Sequence, residues 1–356
     1  MSDNRVQQKE RHDIGIDAIR GVAAFLVIVG HCIQTVYAPN SFDDVKLFEI
    51  IYSFHMPLFM ALSGYLTYGP EQRRGKKWLL QRIASLSMTL CFWFIADTLI
   101  LKGRFWEKPS PILFILSRVK GVLINPADGG LWFVAVLLEN TIIFWGAARF
   151  AKHFKLNEKV VVLIIWLLIV LQPCEWFGLA YVARQFPYFA LGYFARQYRQ
   201  TKPVISTCQI TGGIVLSGII FAPLAWMWNR TTYPDCFFFA LPVKTMAVLS
   251  EIYTFIVAVA GICFVSGVIY YGFPSCVKKA FALLGGYSLE SYCLQGFFYR
   301  IITGFSPLQN TIMEIVIISV LVVFIPWLLE KNQLLAFILF GKRSSCFLSK
   351  KEEECV

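Results

Sequence analysis

The stretch IDAIRGVAAFLVIVGHCIQTVY, residues 16–37, decides the fold class of this chain. A helix needs about 20 mostly apolar residues to cross a bilayer, and this stretch is long enough. Similar stretches recur along the chain and predict an all-α fold, a polytopic membrane helical bundle of about ten transmembrane helices. The predicted spans are Ile16–Tyr37, Ile50–Gly69, Ile83–Ile100, Gly129–Ala148, Val160–Cys174, Trp176–Ala195, Val204–Trp228, Ile252–Gly272, Phe281–Ile302 and Ile312–Leu329.

The composition agrees with a membrane protein. Of the 356 residues, 57% are hydrophobic and 15% are charged, whereas soluble domains carry about 25% charged residues. The net charge of +11 comes from Lys and Arg in short segments between the apolar stretches, which argues against a basic domain that binds nucleic acid. Because the chain shows no repeat and no linker, we predict one domain, residues 1–356, with cytoplasmic tails at 1–15 and 331–356.

The basic residues also orient the predicted bundle. Placing both termini in the cytoplasm puts most Lys and Arg on the cytoplasmic side, as the positive-inside rule requires. One outer segment departs from the rule, and it contains Lys102, Arg104, Lys108, Arg118 and Lys120. Two apolar pieces, Pro111–Ile124 and Phe237–Val248, are too short or interrupted to span and are expected to be re-entrant or interfacial.

The first span carries polar residues on one face. Arg20 and His31 lie eleven residues apart, which is almost three helical turns, or about 16 Å along the axis. Asp17 and Gln34 fall close to the same stripe. Arg binds phosphate through its planar fork of donors, and a neutral imidazole takes protons from hydroxyls near neutral pH. The stripe therefore favours an anionic carrier and a hydroxyl acceptor; the alternative is an interfacial anchor at Arg20 and a packing histidine.

The second span offers a further histidine and a close-packing site. Pro57 is expected to kink this helix, and Ser63 and Gly64 are small enough to let another helix approach closely. His55 is either a second titrating group or a packing residue bonded to the first span. The sequence leaves both possibilities open.

Four motifs carry a resemblance to a known family. Ile16–His31 resembles the opening helix of the membrane acyltransferase-3 family, in which Arg or Lys is followed by ten residues and then His. The stretch SFHMPLFMALSGY, Ser53–Tyr65, is similar to the second helix of the family. Gly130–Phe133 resembles its Trp-Phe helix start, and Tyr287–Tyr292 its penultimate helix.

The resemblance implies a membrane O-acyltransferase that moves an acetyl group from acetyl-CoA, on the cytoplasmic side, to a hydroxyl of a sugar or lipid-linked glycan. The acceptors closest in type are fucose and other sugars of surface polysaccharides. His31 is then the general base and Arg20 binds the acyl-CoA. The predicted catalytic residues are His31, Arg20 and Asp17. The predicted substrate- and donor-binding residues are His55, Ser63, Tyr65, Arg73, Arg74, Arg82, Trp132, Glu290 and Tyr292.

The same resemblance implies a bacterial inner membrane, with acyl-CoA, a carbohydrate acceptor and lipid as partners. Acetyl-CoA is a co-substrate, and we expect no permanently bound cofactor. We expect no metal either, because the ten cysteines are scattered and none forms a CxxC pair.

The chain departs from the family pattern at three places. Leu79 stands at the first position of the family's Arg-x-x-Arg, with Arg82 at the second. Thr67 ends the Ser-Gly-Tyr-x-Ser stretch, and Gln295 stands where many members have His. A basic cluster near the second span can supply the missing phosphate contacts, and it consists of Arg73, Arg74, Lys76 and Lys77.

Two other classes of function compete with the enzyme. Buried ionisable groups in a ten-span bundle also fit a transporter or flippase of glycans or organic anions. Against this, the sequence shows no two halves with matching broken helices. A membrane sensor or assembly partner leaves the one-face arrangement of Arg20 and His31 unexplained. Covalent transfer of a labelled acyl group separates the enzyme from both alternatives.

Overall fold

The computed structural model describes residues 13–36, 42–69, 74–101, 110–125, 131–172, 176–201, 206–237, 242–303 and 311–342. The regular secondary structure in these ranges is helical throughout. The α-helices are α1 (Ile14–Val36), α2 (Lys46–Tyr52), α3 (His55–Thr67), α4 (Lys76–Ala96), α5 (Pro111–Ile124), α6 (Trp132–His153), α7 (Glu158–Leu171), α8 (Leu179–Thr201), α9 (Thr207–Met227), α10 (Val243–Gly267), α11 (Ser275–Gly286), α12 (Ser288–Thr303), α13 (Thr311–Leu329) and α14 (Gln333–Phe340).

Seven helical segments of the described ranges are long and apolar enough to cross a membrane, which confirms the polytopic helical class. Three of them are longer than single α-helices, because α2 and α3 follow each other closely and π-helical turns extend α4 and α10. The segments are Ile14–Val36, Lys46–Thr67, Lys76–Leu99, Trp132–His153, Thr207–Met227, Val243–Gly272 and Thr311–Leu329.

The predicted count of ten spans is not confirmed. Helix α7 has only 14 residues, and α8 is rich in polar side chains over its 23 residues. Tyr287 divides the predicted span Phe281–Ile302 between α11 and α12, because its φ of −107° and ψ of 22° end the first of these helices. Of the two short apolar pieces, Pro111–Ile124 forms the helix α5. The other, Phe237–Val248, is not a separate element in its described residues, because α10 begins within it at Val243. Ten spans, and the side on which each terminus lies, therefore stay predictions.

Glycines bring two pairs of helices into backbone contact. A Cβ on Gly192 of α8 would overlap the carbonyl oxygen of Ala61 in α3, and one on Gly64 would overlap that of Phe189. A Cβ on Gly21 of α1 would likewise overlap the carbonyl oxygen of Phe281 in α11. Small residues at such crossings let helices gain van der Waals contact that lipid does not supply. The close-packing role predicted for Gly64 is confirmed.

Helix α1 lies at the centre of the bundle and packs against α3, α11, α12 and α13. We call the end of the bundle where α1 begins the N-terminal face. At this face Arg199, near the end of α8, donates to the hydroxyls of Tyr65 at 2.9 Å and Tyr270 at 2.7 Å. Its guanidinium also lies 3.7 Å from the carboxylate of Asp13. These contacts join the ends of α3, α8 and α10 to the start of α1.

The segment predicted as the C-terminal tail contains α14, which packs against α4. The indole nitrogen of Trp93 donates to the carbonyl oxygen of Leu339 at 2.8 Å, and the Trp93 ring stacks on Phe340 at 6.3 Å. Gly341 ends the helix in the left-handed conformation, with φ of +64°, and a Cβ there would overlap the carbonyl oxygen of Ser85. This geometry requires glycine. The turn at Gly341 places the next residue, Lys342, at a cavity inside the bundle.

Candidate active site

A cavity of about 390 Å³ lies among α1, α3, α4, α6 and α12. We call it the arginine cavity after Arg20, Arg74 and Arg82, which line it. Lys342 adds a fourth cation, and Glu290 is the only carboxylate among the described residues of its wall. The cavity is therefore electropositive and suits an anionic ligand.

Two of the arginines are held by hydrogen bonds. Arg20 donates from Nη2 to the hydroxyl of Ser288 at 2.9 Å, and its Nη1 lies 3.4 Å from the carboxylate of Asp17. Arg74 donates from Nη2 to the carbonyl oxygen of Leu66 at 2.7 Å. A guanidinium oriented in advance loses less entropy when it binds a phosphate or carboxylate.

Arg82 differs from these two arginines. It lines the same cavity, and within the described ranges it makes no hydrogen bond or ion pair. Arg20 and Arg74 are close enough to repel its charge. An anion bound between the three guanidinium groups would offset this repulsion and supply the acceptors that Arg82 lacks.

The rest of the cavity wall is mainly apolar. Phe59 and Leu62 of α3 form part of it, beside Ser63, whose hydroxyl donates to the carbonyl oxygen of Phe59 at 2.8 Å. The hydroxyl of Tyr292 accepts the backbone N–H of Phe133 at 3.3 Å. Apolar walls with a few fixed polar groups are typical of small-molecule sites.

Glu290 and Lys342 form an ion pair at the cavity wall. The Nζ of Lys342 lies 2.5 Å from Oε1 of Glu290 and 2.5 Å from Oε1 of Glu330. Burial by itself lowers the pKa of Lys342, but the two carboxylates raise it above its ordinary value. The Glu290 side chain is only 1% exposed, so its charge depends on this ammonium group.

We expect Lys342→Met to destabilise the protein by about 1–3 kcal/mol, because Glu290 would remain buried without its cation. Thermal unfolding in detergent measures this loss. The double variant Glu290→Gln/Lys342→Met should recover part of the stability, since it leaves no buried charge. Equal stability of Lys342→Met and wild type would show that the pair contributes nothing.

A second polar group lies farther along α1. We call it the histidine cluster, and it consists of His31, Gln34, Tyr52, His55 and Tyr299. The Nδ1 of His31 lies 2.8 Å from Oε1 of Gln34, and the hydroxyl of Tyr52 donates to the same oxygen at 3.3 Å. An amide oxygen only accepts, so Nδ1 of His31 carries the proton and Nε2 presents its lone pair. His31 is half-buried, which leaves its ring partly accessible.

His55, the second histidine of this cluster, is buried. Its Nδ1 lies 2.8 Å from the carbonyl oxygen of Ile51, one turn earlier, and its ring lies 4.6 Å from that of Tyr52. This hydrogen bond is therefore to its own segment of chain. This geometry favours the packing alternative for His55 over a direct substrate contact.

The arginine cavity and the histidine cluster lie on the same side of α1, which faces α12. Arg20 contacts Ser288 there, and the ring of His31 lies 5.4 Å from that of Tyr299. The one-face arrangement predicted for Arg20 and His31 is present, but apolar residues interrupt the polar stripe. Ile28, which lies between them in α1, is fully buried, and Phe59 of the cavity wall packs against the apolar cluster that contains Ile28.

Three other predicted residues lie outside both groups or outside the described ranges. Tyr65 binds Arg199 at the N-terminal face. Trp132 packs on the ring of Tyr181 at 5.4 Å. Arg73 falls in a part of the chain that the structure does not describe.

Sequence reasoning missed Ser288 and Lys342, whose side chains bind the predicted residues Arg20 and Glu290 in the cavity. Ser288 directly follows the helix break at Tyr287, and a polar residue at such a break was the available signal. Lys342 gave no signal, because a lysine in a terminal tail is ordinarily solvated.

Long apolar helices, an electropositive internal cavity and a histidine cluster together describe a polytopic helical membrane protein with polar groups in its interior. Comparison with protein families identifies the family within this class. Residues 13–331 match the family described as "Acyltransferase domain". The chain belongs to this acyltransferase family, which confirms the resemblance carried by its first two spans.

Two curated relatives share part of the sequence. Nodulation protein NolL of Sinorhizobium fredii (strain NBRC 101917 / NGR234) is 27% identical over 189 residues, which are 52% of this chain and 49% of that protein. Nodulation protein NolL of Mesorhizobium japonicum (strain LMG 29417 / CECT 9101 / MAFF 303099) is 33% identical over 128 residues, 34% of this chain and 32% of the relative. The matches thus span half or less of these relatives. No solved structure matches the chain significantly.

Proposed function

We propose that the protein transfers an acetyl group from acetyl-CoA to a hydroxyl of a sugar or surface glycan, with His31 as general base. The observation that carries the proposal is the arrangement on α1, where Arg20 lines an electropositive cavity and His31 presents an unprotonated Nε2 farther along. Membership of the acyltransferase family supports the transfer of an acyl group.

The arginine cavity supports an anionic acyl donor. Coenzyme A carries phosphates, and guanidinium groups bind phosphate through paired, charge-assisted hydrogen bonds. Arg20, Arg74 and Arg82 offer three such groups, of which Arg82 makes no hydrogen bond or ion pair in the described ranges. The apolar remainder of the wall suits the pantetheine arm.

In the proposed reaction, the acceptor hydroxyl oxygen attacks the carbonyl carbon of the thioester. As the new C–O bond forms, Nε2 of His31 takes the hydroxyl proton. The C–S bond then breaks, and the departing thiolate of coenzyme A takes the proton back from the imidazolium. The products are the O-acetyl ester and free coenzyme A, and His31 returns to its neutral form.

The separation of the two sites adds one requirement to this mechanism. The thioester has to pass the apolar packing around Ile28 and Phe59 to reach His31. Phe59 lines the cavity and contacts the packing behind it, so its side chain has to move aside when the donor binds. The acceptor would approach from the side of Gln34 and Tyr52.

We place the protein in a bacterial cytoplasmic membrane, with both termini and the N-terminal face in the cytoplasm. The positive-inside pattern of the sequence supports this orientation. Both matched relatives come from bacteria.

Transfer of radiolabelled acetyl from acetyl-CoA tests the proposal. Membranes with and without the protein are incubated with the label, and surface polysaccharide and lipid-linked glycans are extracted and counted. Protein-dependent label in a base-labile ester supports the proposal. If folded protein transfers no label and instead moves glycan across vesicles, the transporter alternative replaces it.

We expect Arg82→Met to raise the KM for acetyl-CoA by about tenfold, which corresponds to the loss of one charge-assisted hydrogen bond. The kcat should change less, because Arg82 lies away from the reacting atoms in this mechanism. Lys279→Met is the control, since Lys279 is an exposed cation of α11 and lies outside the lining of both cavities. An unchanged KM would remove Arg82 from the donor site.

We expect Gln34→Leu to lower kcat by about 10- to 100-fold with little change in KM for the donor. The amide of Gln34 holds the proton on Nδ1 of His31, so its loss allows the unproductive tautomer and ring rotation. Gln34→Glu keeps an acceptor oxygen at the same reach and should restore much of the activity. If Gln34→Leu and wild type have the same kcat, Gln34 does not position His31.

A further inference from the structure

A second cavity of about 520 Å³ lies at the N-terminal face. It lies between the ends of α3, α6 and α8 and the starts of α4 and α7. Its walls include Trp145, Arg149 and Lys152 of α6, and Gln197 and Gln200 of α8. We call it the α6–α8 cavity.

The charge of the α6–α8 cavity is positive. Arg74, Arg149 and Lys152 line it, whereas Glu158 is the only carboxylate among its described lining residues. The hydroxyl of Tyr193 donates to Glu158 at 3.0 Å, which already satisfies one carboxylate oxygen. The balance of charge therefore favours an anion with more than one negative group.

Aromatic and amide groups accompany these cations. The indole nitrogen of Trp145 donates to the carbonyl oxygen of Arg74 at 3.0 Å, which fixes the ring. The guanidinium of Arg149 lies 5.3 Å from the centre of that ring. Indole and guanidinium planes stack on nucleobases, and the side-chain amides of Gln197 and Gln200 can pair with the edge of an adenine.

The two cavities share part of their walls. Thr67, Arg74 and Trp78 line both the arginine cavity and the α6–α8 cavity. The guanidinium of Arg74 lies over the Trp78 ring at 4.7 Å, so one cation stands where the cavities meet. A ligand with a nucleotide at one end and a narrow arm at the other can therefore occupy both.

We infer that the α6–α8 cavity binds the adenosine 3′-phosphate part of the acyl donor, while its diphosphate and pantetheine arm enter the arginine cavity. This inference rests on the proposed function, because it divides the same donor between two cavities. A coenzyme A thioester is larger than either cavity alone. Anionic lipid headgroups share the phosphate chemistry, but they use neither stacking planes nor paired amides, and these favour the nucleotide.

Binding of adenosine 3′,5′-bisphosphate tests the inference without any transfer reaction. The purified protein is titrated calorimetrically in nanodiscs of phosphatidylcholine, and again in nanodiscs that contain phosphatidylglycerol. Lys152→Met should weaken binding of the bisphosphate by about tenfold. Lys155→Met is the matched control, because Lys155 is exposed three residues later, between α6 and α7, and lies outside the cavity lining.

The kinetic counterpart uses two donors. Lys152→Met should raise the KM for acetyl-CoA and leave the KM for S-acetylpantetheine unchanged, since the second donor lacks the nucleotide. An equal rise for both donors would overturn the inference. Absence of bisphosphate binding in both kinds of nanodisc would also overturn it. So would binding in phosphatidylcholine that phosphatidylglycerol abolishes, because the cavity would then prefer a lipid headgroup.

The failure of the proposed function has a different signature. If bisphosphate binding depends on Lys152 but the wild type transfers no acetyl group, the nucleotide site stands and the transferase proposal falls. If acetyl transfer occurs and Lys152→Met behaves as Lys155→Met in both assays, the transferase proposal stands and the nucleotide site falls.

Discussion

We expect His31→Ala to lower acetyl transfer by about 10²- to 10⁴-fold, the contribution of a positioned general base. The hydrogen bond from Nδ1 to Gln34 leaves Nε2 as the group that can accept a proton. A neutral alkyl side chain at position 31 offers no such acceptor. Transfer of labelled acetyl from acetyl-CoA, at equal expression of both proteins, measures the loss.

His153→Ala serves as the matched control. His153 is exposed at the end of α6, where its ring packs only against that of Phe154 among the described aromatic contacts. The control should retain activity, and both variants should elute as folded protein. Full activity of His31→Ala would show that the histidine cluster is structural and would remove the proposed mechanism.

We expect Gly192→Leu to abolish folding of the bundle. The new side chain would begin inside the backbone of α3 at Ala61, so α3 and α8 would have to separate. Inserting a larger side chain into a packed interior destabilises a protein by about 1–3 kcal/mol. Because this side chain would overlap backbone atoms, we expect a destabilisation at or above the upper end of that range. The yield of monodisperse protein in size-exclusion chromatography and its thermal midpoint both measure the effect.

Gly146→Leu isolates the effect of the helix crossing. Gly146 lies in α6, and a Cβ there would meet no atom within 4 Å. Both substitutions add the same side chain to a helix, so a difference in yield reports only the contact with α3. Similar yields of the two variants would mean that the Gly192 crossing adapts without loss.

The two groups on α1 suggest how one helix can serve both substrates. In our proposal the donor binds from the N-terminal face, at Arg20, and the acceptor meets His31 from the opposite side. The apolar cluster that contains Ile28, with Phe59 packed against it, separates the two sites. Such a barrier would limit hydrolysis of the thioester when no acceptor is present.

Several features of this protein follow from the sequence alone. Membrane insertion and helical structure follow from the length and apolarity of the stretches, since the bilayer forces each backbone group to bond within its own helix. The common face of Arg20 and His31 follows from the helical period, which is a local property. The contact at Gly64 was also predictable, because a small residue beside Ser63 leaves room for another backbone.

The tertiary structure alone decided which groups from distant segments meet. Ser288 reaches Arg20 across 268 positions of the chain, and Lys342 reaches Glu290 because α14 packs on Trp93. The structure also showed that apolar side chains fill the space between Arg20 and His31. None of this is encoded in a period or a motif, because it depends on how helices with similar apolar surfaces choose their neighbours. That choice is made by side-chain shape and small residues at each crossing, and a single helix does not reveal it.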